Sequence, residues 1–286
     1  MSETGLMRHI ERLNHWEPGH FKGFYFAGER YGYLKGAMLE ALRQWPETFR
    51  MEGDGVHLDP ALENFEARTR RLGEVTDSLV AEGVISHVHG ERYAVTSRGR
   101  ESAIATIDRT AAAYFGVRAY GQHLNGFVRL PDGLHLWIAR RSADRRVYPD
   151  CLDNMVAGGL PYGVGLQENL LKECAEEASV PSELALEARP VGVLSYCKET
   201  PVGLKPDTLY CYDLELPPDF YPRNADGEVA GFMLLPVEEV LYLVRETGEF
   251  KLNCNLVLID FFIRHGILTP ESPDYIRLVQ GLHEKI

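Results

Sequence analysis

Apolar and polar positions alternate along some stretches of the chain and recur at helical spacing along others, and the two patterns predict its elements. Glu3 to Asn14 reads as a short helix. Phe21 to Leu34 places aromatic-rich runs on either side of Ala27-Gly28, the pattern of a hairpin. A helix over Ala37 to Gln44 stops at Trp45-Pro46, because the residue before a proline is pushed out of the α region. Phe49 to Leu58 reads as a strand broken by Gly53-Asp54-Gly55. Pro60 opens a long amphipathic helix to Ala81, with Phe65, Leu72, Val75, Leu79 and Val80 inside and Arg68, Arg70 and Arg71 outside. Beyond Gly83, ISHVHGERYAVT reads as strand, turn, strand, and Ala103 to Phe115 as a helix.

The language changes after Gly116-Val117. From Gln122, two alternating runs flank Pro131-Asp132-Gly133, a strong hairpin signal. Gly158 to Gly163 then forms a tight glycine loop, and Gln167 to Val180 is a helix seated by Leu170, Leu171, Cys174 and Ala178. Strands follow at Val191 to Cys197, Thr208 to Leu216 and Gly231 to Leu235. Helices start at Pro236 and run from Asn253 to His265. The expectation is two units, 1–116 of α+β type and 117–286 with a mixed sheet between helices, closely packed because no Pro/Ser-rich linker separates them.

Chemistry concentrates after the glycine loop. Glu173, Glu176 and Glu177 fall at i, i+3 and i+4, so they share one helix face with Cβ atoms roughly 5–6 Å apart. Carboxylates that close repel unless a cation lies between them, and a hard divalent ion such as Mg²⁺ suits an oxygen shell completed by water. A bare ExxEE also describes a solvated acidic face. The glycine loop at a fixed offset and Lys172 beside the trio favour the metal reading.

The stretch resembles the Nudix box, G-x5-E-x7-R-E-U-x-E-E-x-G-U with U apolar. Aligned on Gly158, the three metal-binding carboxylates of the family fall on Glu173, Glu176 and Glu177, while Val164, Lys172 and Ser179 replace its first Glu, its Arg and its closing Gly. The flanking run Leu152 to Pro161 (LDNMVAGGLP) is similar to a subgroup with an extra N-terminal domain, related to the Nudix part of fungal thiamine pyrophosphokinase fusions. The resemblance implies an α/β/α sandwich and Mg²⁺-dependent hydrolysis of a diphosphate linkage, with Mn²⁺ as an alternative ion. It implies Gly158, Glu173, Glu176 and Glu177 as metal ligands, Lys172 as their support, and Glu228, in the loop before a strand, as base or ligand. The substrate class it points to is thiamine diphosphate or its oxidised analogues, with nucleotides and nucleotide sugars as the other choice. Arg140 and Arg141, at a strand end just before the loop, are candidates for the phosphate. Asn125, His123 and Tyr148 are candidates for the rest of the substrate, as are the aromatic residues between Phe21 and Tyr33.

Charge and composition narrow the alternatives. The 286 residues carry a net charge of −12, which argues against binding a phosphate backbone. Helix followed by hairpin near residue 85 is also how a winged helix reads, but no second recognition helix accompanies it. His87 and His89, two apart, lack a third metal ligand. A Nudix-fold ligand sensor would keep the fold without needing the acids. An isopentenyl diphosphate isomerase would need a cysteine and a glutamate across an apolar pocket. The five cysteines are scattered without CxxC spacing, so reduced thiols are expected. The first residues lack the basic and apolar regions of a secretory leader, and no apolar run is long enough to span a bilayer. The expected location is therefore cytoplasmic, and the expected partner is a small-molecule diphosphate, with neither nucleic acid nor membrane involved and a homodimer left open.

Overall fold

The computed structural model describes residues 5–283. Glu3 and Thr4 of the expected first helix lie outside that range, and α1 spans Met7–Leu13. The N-terminal unit is built on a four-stranded sheet in the order β2-β1-β4-β3. The hairpin β1 (Lys22–Phe26) and β2 (Glu29–Leu34) comes first, then α2 (Gly36–Leu42), then the hairpin β3 (Phe49–Glu52) and β4 (Gly55–Leu58). Both hairpins lie where the turn signals put them, and β1 joins β4 in parallel. Helix α3 (Phe65–Ala81) covers the core with Leu72, Val75 and Leu79, all fully buried.

Three local expectations change. Helix α3 starts at Phe65 rather than Pro60, because the Asn64 side chain accepts the Ala67 N–H at 2.8 Å and caps it there. Arg68 is inside: its guanidinium donates to the Ile104 and Leu62 carbonyls at 2.8 Å each, consuming charge that the helical wheel assigned to solvent. The run 85–96 supplies one strand, β5 (Arg92–Val95), and its partner is β6 (Ala105–Asp108), inside the stretch read as a helix. Pairing buries Ala105 and Ile107 completely, and Asp108 then caps the shorter helix α4 (Arg109–Phe115) by accepting the Thr110 N–H. His87 and His89 lie in the irregular connection before β5; His87 Nε2 sits 3.2 Å from the Thr110 hydroxyl.

The second unit is a seven-stranded mixed sheet. Strand β7 (Ala119–Leu130) pairs with β8 (Gly133–Arg141) only at its hairpin end, from Phe127 opposite Leu136 to Leu130 opposite Gly133. The two strands then diverge. Short strands β9 (Leu152–Asn154) and β10 (Val156–Gly159) fill the wedge, β9 on β8 and β10 on β7. On the other edge β7 runs parallel to β12 (Leu204–Glu215), which is antiparallel to β11 (Arg189–Glu199); β13 (Val229–Pro236) closes the far side on β8. Helix α5 (Leu166–Ala178) and the short α6 (Ser182–Ala185) cover one face over Leu124, Trp137, Met155 and Tyr212. Helices α7 (Val237–Glu246), α8 (Cys254–Arg264) and α9 (Tyr275–Gly281) cover the other. This is the α/β/α sandwich with a mixed sheet.

The first helix does not belong with residues 20–116. Leu6, Ile10 and Leu13 are buried in the core formed by α7, α8 and α9. Arg8 donates to the Val244 carbonyl at 3.0 Å and to that of Thr247, and His9 Nε2 lies 2.7 Å from the Val244 carbonyl. The sheets of the two units separate near residue 116, whereas α1 packs its apolar face on the second unit. A small aromatic cluster of Trp16, Phe21 and Tyr33 packs on Cys197 and Leu204, so these rings join the two units rather than line a ligand pocket. All five cysteines are free thiols.

His9 generates a stability prediction. Burial pushes its pKa from 6.5 down to about 4, so between those values the unfolded chain binds a proton that the folded chain refuses. Its contribution is intact above pH 6.5 and is lost as pH falls. Between pH 7 and pH 5, wild type should lose on the order of 2 kcal/mol more than His9→Gln. Urea melts of both proteins at the two pH values check this; parallel losses would rule out His9 as the cause.

Candidate active site

The wedge between β7 and β8 is where the chemistry gathers. Gly158 and Gly159 belong to β10, with Gly158 opposite Gln122 and Gly159 opposite Gly121; the loop proper is Leu160 to Gly165. Helix α5 is tied to this strand by side chains. Asn169 donates to the Gly159 carbonyl at 3.0 Å and to Gln122 Oε1 at 2.8 Å, while Gln122 Nε2 donates to the Leu166 carbonyl. The helix ends on Ser179 in the left-handed region (φ 50°), where the box has glycine. A side chain there costs roughly 1 kcal/mol, and the Ser179 hydroxyl offsets part of it by donating to the Arg223 carbonyl at 2.7 Å.

The helix carries its carboxylates to the free edge of β10. Glu177 is buried, and its Oε2 accepts the Ala157 N–H at 2.8 Å. Burial first, then repulsion from Asp153 and Glu173, pushes Glu177 up to about 8 despite that hydrogen bond. Glu173 lies against the Cα of Gly158, where any Cβ would overlap its carboxyl group. Burial raises Glu173 too, with repulsion from Glu176 and Glu228 added and Lys172 opposing. Lys172 Nζ reaches Glu176 at 2.8 Å and Glu173 at 3.4 Å. Two crowded, largely desolvated carboxylates with a third beside them form an all-oxygen donor set that fits Mg²⁺ or Mn²⁺ and does not suit a soft metal.

The other sequence candidates divide. Glu228 is close enough to act on Glu173 electrostatically, but its carboxylate is held by Arg145 at 2.6 Å. Arg141 is fully committed: Nε and Nη2 donate to the carbonyls of Tyr148 and Val147, and Nη1 to Asp153. Arg140 is turned to the Asp150 carbonyl and carboxylate and toward Glu249. Both arginines thus fold the segment 147–153 instead of offering donors to a phosphate, a correction to their expected role. Asn125 is also not a cleft residue: it is buried between Asp213 and Asn154 in a polar core network. Tyr148, at φ 52°, lines a cavity of about 370 Å³ with His9, Arg12, Cys151, Lys198 and Phe250. His123 is fully enclosed, bonded to Asn154 at 2.8 Å, and kept neutral by burial, which takes it down to about 4.

Residues that the sequence did not single out complete the surroundings. Asp153 is buried between Lys251 and Arg141, whose nitrogens lie 3.1 and 3.0 Å away, and Cys254 Sγ donates to it at 2.6 Å. Burial would raise its carboxyl, but Lys251 and its other neighbours hold it below the usual range. The N-terminal unit reaches the glycine loop directly. Arg100 donates to the Pro161 carbonyl at 2.6 Å and the Val164 carbonyl at 2.9 Å, the Tyr162 N–H donates to the Arg92 carbonyl, and Phe65 packs on Tyr162. Val164, which replaces the first Glu of the box, takes part through its backbone. The contacts of the N-terminal unit with the loop have no local signal, since their partners are 60 or more residues apart in the chain.

Comparison with known proteins fits this picture. Residues 5–119 match a family described as a domain of unknown function, DUF4743. Over 98% of its length the chain is 41% identical to Nudix hydrolase 24, chloroplastic, of Arabidopsis thaliana, covering 78% of that protein. It is 39% identical to Nudix hydrolase 20, chloroplastic, of the same plant, over 99% of this chain and 78% of the relative. Among solved structures, DR0079 from Deinococcus radiodurans superposes with a TM-score of 0.40 at 22% identity, over 68% of this chain and 100% of the other, a likeness that adds no weight. Both plant relatives carry a chloroplast location in their names, which overturns the cytoplasmic expectation drawn from the first residues. Identity at this level over nearly the whole chain, with the box carboxylates gathered at the edge of β10, leads to one conclusion: the chain belongs to the Nudix hydrolase family.

Proposed function

We propose that the protein is a divalent-metal-dependent pyrophosphohydrolase that splits a diphosphate linkage, with thiamine diphosphate and its oxidised analogues as the substrate class to test first. The observation that carries the reaction type is the placement of Glu173 and Glu177 against β10 with Lys172 bridging Glu173 and Glu176. Glu173, Glu176 and Glu177 would hold the ion, together with the Gly158 carbonyl. A bound Mg²⁺ would neutralise diphosphate charge and lower the pKa of the attacking water. The chain's own residues do the rest. Lys172 keeps two of the glutamates together, and the Ala157 N–H fixes Glu177. Glu228 is the candidate proton acceptor. It serves only when Arg145 leaves it, and a negatively charged substrate at the cleft would draw Arg145 away.

The substrate assignment rests on the subgroup resemblance and on Tyr148, which offers a flat face beside the cavity of about 370 Å³. The competing reading is a nucleotide or nucleotide sugar, for which the same phosphate chemistry serves.

Three outcomes test these readings. Glu177→Gln keeps size and the buried setting but removes the charge, so phosphate release should fall at least ~10²-fold. Its melting temperature should hold or rise, because a carboxyl raised to about 8 is costly to bury as an anion. Unchanged turnover at saturating Mg²⁺ would remove the metal-site assignment. Gly158→Ala places a Cβ on the Glu173 carboxyl and should weaken Mn²⁺ binding at least ~10-fold, read by titration of the unliganded protein. In a release screen with Mg²⁺, oxidised thiamine diphosphate analogues should give a higher kcat/KM than dGTP, ATP or ADP-ribose. A nucleotide preferred ~100-fold, about 2.7 kcal/mol, would replace the thiamine reading and leave the pyrophosphatase intact.

A further inference from the structure

We propose that Arg109, carried by the N-terminal unit, binds a phosphate of the substrate, so that the two units build one active site between them. The inference rests on the pyrophosphohydrolase reading and adds to it a residue outside the Nudix box. With Arg140 and Arg141 spent on the segment 147–153, the cleft needs another source of planar, phosphate-matching donors.

Arg109 is fixed and aimed. It is the first residue of α4, its N–H donates to the Glu91 carbonyl at 2.9 Å, and the preceding Asp108 accepts from the N–H groups of Gly90, His89 and Thr110. The side chain passes over the Tyr93 ring, 5.7 Å from its centroid, and Nη1 donates to Glu91 at 2.8 Å. Nε and Nη2 have no acceptor among the described residues. The guanidinium lies against the Cα of Gly159: a Cβ there would be 3.0 Å from Nη1, 3.1 Å from Cζ and 2.5 Å from the Tyr93 hydroxyl. Gly159 is next to Gly158, whose own Cα touches the Glu173 carboxyl, so the Arg109 guanidinium and a candidate metal-site carboxylate meet consecutive residues of one strand end. Burial opposes the Arg109 charge, but Tyr93 and Glu91, and after them Glu173, outweigh that and raise its pKa.

The placement is also held. Arg100 on the Pro161 and Val164 carbonyls and the Tyr162–Arg92 backbone bond lock the N-terminal unit to the loop on the same side. A guanidinium placed only to neutralise the glutamates would pair with them. This one pairs with Glu91 and leaves Nε and Nη2 without an acceptor among the described residues, a planar donor pair of the kind that phosphate oxygens take.

Imidodiphosphate, which cannot be hydrolysed at its bridge, is the probe, titrated calorimetrically into the full chain with Mg²⁺. Arg109→Met should raise its Kd by ~10-fold or more, the loss of charge-assisted bonds, without weakening Mn²⁺ binding to the protein alone. Glu91→Gln should do the opposite: it frees Nη1 and should tighten imidodiphosphate by ~2-fold or more. That second variant decides the matter if Arg109→Met loses its cooperative melt, because a merely structural Arg109–Glu91 pair predicts weaker binding from both. A Kd within ~2-fold of wild type in Arg109→Met, or weakening in Glu91→Gln, overturns the proposal while wild-type phosphate release stands. A wild type that neither binds imidodiphosphate nor releases phosphate from any diphosphate brings down the broader reading with it.

Discussion

At two consecutive positions the chain has no room for a side chain, and the active-site region depends on that. The Glu173 carboxyl occupies the space a Cβ at Gly158 would need, and the Tyr93 hydroxyl and Arg109 guanidinium occupy that of Gly159. Successive strand residues face opposite sides of a sheet. Strand β10 is therefore approached from one side by the helix with the carboxylates and from the other by the N-terminal unit. Neither glycine has a positive φ, so the requirement is proximity and not an unusual backbone conformation. The glycine pair sets how near the Glu173 carboxyl and the N-terminal unit can come to each other.

Charge is arranged around that contact with unequal compensation. Asp153 and Asp213 are buried with full sets of partners: Lys251 and Arg141 on the first, Arg264 and His265 on the second, and both carboxyls stay below their usual range although burial opposes it. Glu177 and Glu173 are also largely buried but are under-compensated, and both are raised. A buried carboxylate without a counter-charge is expensive, and proteins normally avoid it. Under-compensated carboxylates beside fully compensated ones are what support the proposed cation site. His123, Asp153 and Cys254 also converge, and Lys251 and Arg141 already neutralise the Asp153 carboxylate among them. That cluster is consistent with polar core.

Much of this was legible in the sequence because it is local. The β7–β8 hairpin followed from Asp132-Gly133, helix α5 from its apolar stripe, and the carboxylate face from i, i+3, i+4 spacing. What was not legible depends on long-range pairing. β6 lies inside Ala103 to Phe115, whose alanines suggest a helix, but Ala105 to Asp108 carries β-branched Thr106 and Ile107 and pairs with β5. The leading α1 looked like part of the nearest domain, yet its apolar face fits the core of the second unit, with partners as far as 235 positions later, as the His9–Val244 contact shows. Arg140 and Arg141 had the right residue type near the right loop, but spacing cannot say whether a guanidinium is already occupied.

The joining of the two units follows from the same long-range contacts. Arg100 donates to carbonyls on both sides of Tyr162, and the Phe65 ring packs on the Tyr162 side chain. At the other end, Lys35 and His20 pair with Glu199 at the end of β11, and α1 is embedded among α7, α8 and α9. The N-terminal unit is thus tethered at two separate places, one of them the glycine loop. A single tether would permit a hinge; a second, separate one resists rotation about the first. The loop that follows Gly158 and Gly159 is therefore held by the first hundred residues as much as by its own sheet, and a Nudix fold lacking them would have to order that loop by other means.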